Sequence, residues 1–360
     1  MHMLVLTMEK TSNIKRQSSI RKILVRCPNW VGDVVMAVPA FECIRRNFPD
    51  AHITASIRKY ARGVIEDGPW FDEIVNSDDK SYSGFFKTIG HVRKLRPDLA
   101  ILFPNSARST LPVFFGGAKK IVGYKRGFRS LLLNAGPRPK TEGGRITPAP
   151  MSDYYIEICR SLGLDLPASM KPKLYMSKLL EEKGAGYLKG KGVAKDDLVV
   201  GLNPGAKFGS SKCWPPEYFA ELAELLQDRL KCKILLLAGP GEDSIVKAII
   251  GKSKADIINT APDKVDLALL KPLVKRCNLL VTNDTGPRHY AVAFDVPVVV
   301  LMGPTDPRYT AANLDRTVVI RQELECSPCH DKACLLGHHR CMRDIRPDKV
   351  LQEALGLIHL

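Results

Sequence analysis

The chain is short of acids. Thirty-eight Asp and Glu stand against 54 Lys and Arg, a formal charge of +16 over 360 residues. Such an excess suits a partner that is itself negative: a nucleic acid, an anionic membrane surface or an acidic substrate. Asp-x-Asp is absent, so the usual carboxylate clamp for a metal–diphosphate complex is missing. Gly-x-x-x-x-Gly-Lys-Ser/Thr is absent, which excludes a P-loop, and no Gly-x-Gly-x-x-Gly follows a strand pattern, which excludes the dinucleotide fingerprint. The near miss Gly184-Ala185-Gly186 sits among helix formers. No apolar stretch approaches the length of a membrane span. Residues 1–21 are polar and basic without an apolar core, so no secretory signal is expected and the segment reads as a disordered basic tail. Helix-turn-helix spacing, RNP-type aromatic strands and finger spacing are lacking too, so nucleic acid is not the expected partner.

What is present is regular. Strand patterns at 22–27, 52–57, 73–75, 99–103 and 120–123 alternate with helical patterns. A Pro/Gly-rich break follows at 136–150. The alternation restarts at 198–202, 233–237, 256–258, 279–282 and 296–302. Strands separated by helices imply parallel sheets with right-handed crossovers. The length suits two domains. We therefore expect an α/β protein of two doubly wound, Rossmann-like domains facing one another across a cleft. The first domain is expected over 22–175 and the second over 198–346. Residues 176–197 would link them, and a C-terminal helix, 347–360, would pack on either.

Two strand-to-helix turns carry the chemistry. The strand ending at Asn283 runs into Asp284-Thr285-Gly286-Pro287-Arg288-His289 at a helix start. Asp284 or Thr285 can cap that helix, Gly286 admits a ligand to the backbone, and the helix terminus favours an anion. The loop Asn203-Pro204-Gly205-Ala206-Lys207-Phe208-Gly209-Ser210-Ser211-Lys212 adds glycines and lysines suited to wrapping a phosphate. Without an Asp-x-Asp clamp, a diphosphate would be held by lysine, backbone N–H groups and helix dipoles. In the first half, Asp33 opens a helix after the strand 22–27. An ionised carboxylate there can accept a proton from a hydroxyl, or it can simply cap the helix. From Arg108 to Arg145, nine basic residues face one acid, Glu142. An anionic partner explains that imbalance better than a merely solvated face.

One cluster stands apart. Cys326, Cys329, Cys334 and Cys341 enclose His330, His338 and His339, so four of the ten cysteines fall in one segment. The first pair has zinc-ligand spacing; the remainder matches no standard ribbon. Structural zinc, a metal-free loop and a redox role stay open. The other six cysteines read as buried thiols.

Taken in order, Asn29-Trp30-Val31-Gly32-Asp33, Pro104-Asn105-Ser106, Gly123-Tyr124-Lys125-Arg126, Asn203-Pro204-Gly205-Ala206, Lys212-Cys213-Trp214-Pro215, Asn283 to His289 and Gly303-Pro304-Thr305-Asp306-Pro307 resemble the ADP-heptose:lipopolysaccharide heptosyltransferases of glycosyltransferase family 9. The Pro-Asn-Ser and Gly-Tyr-Lys-Arg pieces look more like the type II than the type I enzymes. The resemblance implies a GT-B fold and inverting transfer of heptose from ADP-L-glycero-D-manno-heptose, with no cofactor required. The implied acceptor is heptosyl-Kdo-lipid A, and the implied location is cytoplasmic, peripheral at the inner face of the inner membrane. It also implies that Asp33 is the general base. The donor residues would be Lys212, Asp284, Thr285, Gly286 and His289, with Gly205 and Ala206. Asn105, Ser106, Lys125, Arg126 and Arg129 would meet the acidic acceptor. Another nucleotide sugar on the same fold, or a basic zinc-containing nucleic-acid-binding protein, are the alternatives.

Overall fold

The computed structural model describes residues 19–78 and 81–358, so most of the expected basic tail lies outside the described residues. The chain divides into two units, between Met170 and Lys171.

The first unit is built on β1 (Lys22–Arg26). Four of its five residues are buried, and the first three of them, Ile23, Leu24 and Val25, are the apolar run of a strand covered on both faces. Around it lie β2 (His52–Arg58), β3 (Glu73–Ser77), β4 (Leu99–Leu102) and β5 (Ile121–Gly123), all parallel, in the order β3-β2-β1-β4-β5. Sequence periodicity reads one helix from Val34 to Phe41. The structure breaks it at Ala37 into α1 (Val31–Met36) and α2 (Val38–Asn47). Pro39 is the reason: it lacks an N–H and is tolerated only in a helix's first turn. α3 (Tyr82–Leu95), α4 (Ala107–Phe115) and α5 (Met151–Ser161) complete the layers. The Pro/Gly-rich break contains a small antiparallel hairpin, β6 (Thr141–Glu142) with β7 (Arg145–Ile146). Its two-residue turn puts Gly143 and Gly144 at φ 54° and 76°, which only glycine adopts cheaply.

The second unit has a six-stranded parallel sheet in the order β10-β9-β8-β11-β12-β13. Its strands are β8 (Val199–Asn203), β9 (Lys233–Leu236), β10 (Ile257–Asn259), β11 (Leu279–Asn283), β12 (Val298–Leu301) and β13 (Thr317–Ile320). The edge strand β13 escapes the sequence reading because its four residues carry no distinctive flanking pattern. Helix α6 (Lys178–Gly190) falls in the stretch read as a linker. It packs on the second unit, with Gly184 against Pro272 of α9 (Leu270–Arg276). Helices α7 (Pro216–Leu230), α8 (Asp243–Lys252) and α10 (Gly286–Ala293) follow strands β8, β9 and β11. The last helix, α11 (Pro347–Ile358), buries Val350, Ala354 and Leu357 in the second unit's core, against α7 and the sheet. Fully burying a side chain of this size stabilises by about 1.5–3 kcal/mol, so α11 is an integral layer.

In both sheets the chain winds outward from its first strand, then returns to that strand's other side. The switch lies between β1 and β4 in one unit and between β8 and β11 in the other. At such points the crossovers diverge and the strands' carboxyl ends leave a crevice where α/β sheets bind ligands.

Candidate active site

In the first unit the β1–β4 switch point gathers Asp33 and Asn105. Trp30, not Asp33, occupies the N-cap of α1; Asp33 lies in the first turn. Its Oδ1 accepts a hydrogen bond from the Tyr155 hydroxyl at 2.9 Å. Tyr155 sits on α5, and burial, then the Asp33 charge, push its hydroxyl pKa well above the ordinary value. The phenol therefore stays protonated and orients the carboxylate. Beside it, Asn29 Oδ1 accepts from Arg26 Nη2 and Arg58 Nε, both at 2.8 Å, and the Tyr60 hydroxyl bonds the Asn29 carbonyl. Two guanidinium groups thus flank the loop that carries Asp33. Nothing in the linear motif announces Arg58 or Tyr155, which reach the site from other elements.

At the end of β4, Asn105 Nδ2 donates to the Tyr154 hydroxyl at 2.9 Å, and its Oδ1 accepts from Arg129 Nη1 at 3.1 Å. Tyr154 stacks on Tyr124 with ring centroids 3.7 Å apart. Ser106 caps α4, its Oγ accepting from the Ser109 N–H at 3.3 Å. Lys125 is half-buried and Arg126 exposed. Arg129 differs from the expected surface cation: it is 3% exposed. Its Nε donates to Thr110 Oγ1 at 2.8 Å and its Nη1 also to the Tyr124 carbonyl. Burial lowers its pKa to about 10. It ties the turn at 127–132 to α4, a role that composition alone does not distinguish from solvent exposure.

In the second unit the β8–β11 switch point gathers Lys212 and Asp284. Lys212 Nζ donates to the Asp284 carbonyl at 2.9 Å and to its Oδ2 at 2.8 Å. Arg288 Nη1 donates to Asp284 Oδ1 at 2.8 Å, and Thr305 Oγ1 donates to Oδ2 at 2.8 Å. Burial opposes ionisation of Asp284. Arg288 and then Lys212 overcome it and hold the carboxyl far below the usual range. Asp284 is therefore an anionic hub that organises two cations. Thr285 is the N-cap of α10 but makes no side-chain cap bond. Its hydroxyl instead accepts from Asn203 Nδ2 at 3.1 Å, joining the two loops of the switch point. Asn283 fixes the same loop by donating to the Pro204 carbonyl at 2.6 Å and accepting from the Trp214 N–H at 3.1 Å. Gly286 and Pro287 open α10. His289 is buried, and burial followed by the Arg288 charge lowers its pKa to about 3. It is neutral at physiological pH and brings no positive charge to a phosphate.

Glu242 is a member the motifs do not reveal. A side chain at Gly205 would lie 1.9 Å from its carboxylate, so glycine there is a matter of space. Ala206, next in the loop, is half-buried. Glu242 Oε2 accepts from the Gly239 N–H at 2.7 Å, and burial raises its pKa.

The cysteine-rich segment packs on this loop. The Ser211 N–H donates to the Lys332 carbonyl at 3.1 Å, and His339 Nε2 bonds the Ser211 carbonyl at 2.8 Å. Ser327 Oγ donates to the Gly303 carbonyl at 2.7 Å. Burial and the other three thiols raise the Cys341 pKa to about 11. Among the described residues, no three His, Cys, Asp or Glu side chains are placed to hold a metal ion together. The segment spends its backbone and His339 on bracing the Lys212 loop.

The profile of glycosyltransferase family 9 (heptosyltransferase) matches residues 86–339. Lipopolysaccharide heptosyltransferase 2 of Escherichia coli K12 is 28% identical over 351 residues, 94% of this chain and 98% of that protein. Lipooligosaccharide heptosyltransferase 2 of Campylobacter jejuni serotype O:2 is 27% identical over 346 residues, again 94% and 98% of the two chains. The solved E. coli ADP-heptose lipopolysaccharide heptosyltransferase II superposes with a TM-score of 0.77 at 26% identity, covering 94% of this chain and 98% of that one. A family 9 glycosyltransferase from Veillonella parvula superposes with a TM-score of 0.81 at 23% identity, covering 94% and 97%, a likeness of fold. The two Rossmann-like sheets are those of the GT-B fold.

Proposed function

This chain belongs to glycosyltransferase family 9, and we propose that it moves heptose from ADP-L-glycero-D-manno-heptose to the heptose of the lipopolysaccharide inner core, with inversion. The observation that carries the reading is the extent of the likeness: proteins named heptosyltransferase 2 align over 94% of the chain, through both switch points.

The chemistry follows from the residues. In the first unit Asp33, held by Tyr155, takes the proton of the acceptor hydroxyl as that oxygen attacks the anomeric carbon of the donor. The bond from that carbon to the diphosphate breaks, and ADP leaves with the electron pair. In the second unit, Lys212 has three N–H donors, and two are spent on Asp284. The third is left for a phosphate oxygen. Asp284, a carboxylate, would repel a diphosphate; its part is to fix Lys212 and Arg288. The N–H groups at the start of α10, Gly286 included, add a positive dipole end for the same leaving group. Gly205 and Ala206 line the loop, with Glu242 beside them. His289 serves as neutral packing beneath it. This donor set answers the leaving charge without a divalent ion, so EDTA is expected to leave turnover unchanged.

Lys125 and Arg126, with Asn105 oriented by Tyr154, supply the anion-binding side of an acidic acceptor. Such an acceptor, heptosyl-Kdo-lipid A, lies in the inner membrane, so the enzyme would work as a peripheral protein at its cytoplasmic face. No described helix is long and apolar enough to cross a membrane. Nucleic acid is not a partner in this reading.

Mass spectrometry of the product made from ADP-heptose and a monoheptosylated core tests the proposal. One added heptose supports it. Turnover of a UDP-sugar instead, with none of ADP-heptose, overturns it.

A further inference from the structure

We propose that the turn Gly127–Leu132 and the adjoining end of α4 form a docking surface for an anionic phospholipid bilayer. The inference rests on the reading of the chain as a transferase with a lipid-borne acceptor.

The turn is a 3-10 helix. Such a helix has three residues per turn, so positions three apart share a face. Phe128 and Leu131 are three apart, and they are 92% and 84% exposed. The opposite side faces inward: Arg129 is buried and bonded to Thr110, Asn105 and Tyr124, and Leu133, next after the turn, is buried. The turn is therefore stapled down with its two largest apolar side chains outward. It packs on α4, whose last residues, Phe114 and Phe115, are also exposed and meet edge to face at 5.6 Å. Four large apolar groups, two almost fully open and two about half open to solvent, lie on one pair of packed elements and exceed the scattered exposed hydrophobics of an ordinary surface.

Charge selects the occupant. Arg126 immediately precedes the turn, and Arg108 lies two helical turns before Phe115 on the same face of α4. The Lys125 N–H pairs with the Pro137 carbonyl at 2.8 Å, which brings the exposed Arg138 and Lys140 alongside. Lys119, by contrast, is spent on Asp98. An apolar wedge ringed by cations matches the headgroup and acyl boundary of an anionic leaflet. It opposes a second copy of the same surface, whose cations would face its own. The position also fits the acceptor. Arg129 ties this turn to Asn105, at the end of the sheet that bears Asp33. A lipid-anchored acceptor would then meet the site from the surface in which it is embedded.

The test is flotation of the full chain with vesicles of phosphatidylethanolamine and phosphatidylglycerol, comparing wild type with the double variant Phe128→Ser, Leu131→Ser. Loss of burial should weaken binding about 10- to 100-fold per side chain. Thermal stability and transfer to a deacylated, water-soluble acceptor should stay unchanged. Vesicles of phosphatidylcholine alone, or high salt, should weaken wild-type binding as well. As a second readout, Trp fluorescence of Phe128→Trp should shift to the blue with the anionic vesicles. Equal flotation of wild type and double variant overturns the proposal. So does a wild-type dimer that the double variant dissolves, in the absence of vesicle binding. Failure of wild type on the deacylated acceptor would overturn the proposed function, while flotation still judges the surface by itself.

Discussion

Lys212 clasps Asp284 at two points, donating from one ammonium to the backbone carbonyl and the carboxylate of the same residue, at 2.9 and 2.8 Å. A side chain held twice by one neighbour has little freedom left to lose when a ligand arrives. Arg288 grips the other carboxylate oxygen from inside the unit. The result is a cation held in place by an anion that a second cation holds in turn.

Asp284→Ala should therefore damage more than binding. It leaves Arg288 buried without its counter-ion, and breaking a buried pair costs about 3–5 kcal/mol. Lys212→Ala should weaken ADP-heptose binding while sparing the fold. In a double-mutant cycle read by urea unfolding and by ADP protection, the two should be strongly non-additive. Asp284→Ala with unchanged stability and donor affinity would contradict this account.

Asp33→Asn should lower kcat by about 100- to 10,000-fold, the usual contribution of a general base. Tyr155→Phe removes only the donor that orients the carboxylate and should cost about 10- to 100-fold, as for one hydrogen bond to a charged group. ADP affinity should survive both changes. Isothermal titration with ADP beside steady-state rates makes the comparison, and near-wild-type turnover by Asp33→Asn would remove the base from the mechanism.

His289 makes stability depend on pH in a defined window. Its pKa falls from 6.5 to about 3 in the folded chain. Between those values the unfolded chain binds a proton that the folded chain refuses, so stability is full above pH 6.5 and declines as pH falls towards 3. The slope approaches about 1.4 kcal/mol per pH unit for one group. Asp284, also depressed, adds a loss in the same direction only below its ordinary carboxylate range. The melting temperature of wild type relative to His289→Leu should thus fall as pH drops from 6.5 to 4; a difference independent of pH would show that the histidine carries no such penalty.

Lys125→Gln with Arg126→Gln should raise the acceptor KM and leave ADP affinity unchanged, each lost charged contact contributing about 1.5–3 kcal/mol. Arg129→Ala should behave otherwise. It strips partners from Asn105 and Thr110 and opens a void, so the melting temperature should fall. An Arg129→Ala protein as stable as wild type, with only a KM effect, would place that guanidinium on the substrate.

Both switch points were legible because each is a local pattern: an apolar strand, a polar turn and a helix start, complete within a dozen or so residues at Asp33 and at Asp284. What depends on distant pairing was not. Tyr155 lies 122 residues from Asp33, and no spacing rule links them. Arg129 and Arg126 look alike in a count of charges, yet one is buried and the other exposed. His289 is among the donor residues that the resemblance implies; burial decides its charge, and burial is a tertiary quantity. Glu242 was hidden because Gly205, whose side-chain space it fills, belongs to another loop.

The brace on the Lys212 loop also has a consequence for assembly, expected from chain entropy. Ser211 is joined to Asp331 and His339 across 120 and 128 residues of chain. Contacts so remote pay their loop-closure entropy last, after the strands between them have paired. During synthesis the first unit can fold before the second, as domains generally do. The Lys212 loop, though made before β9 to β13, must wait for residues 331–339 to reach it. An intermediate with its second sheet formed and that segment still undocked would hold the Asp33 switch point complete and the Lys212 loop slack. Newly made chains should therefore become able to fold well before they become able to bind nucleotide.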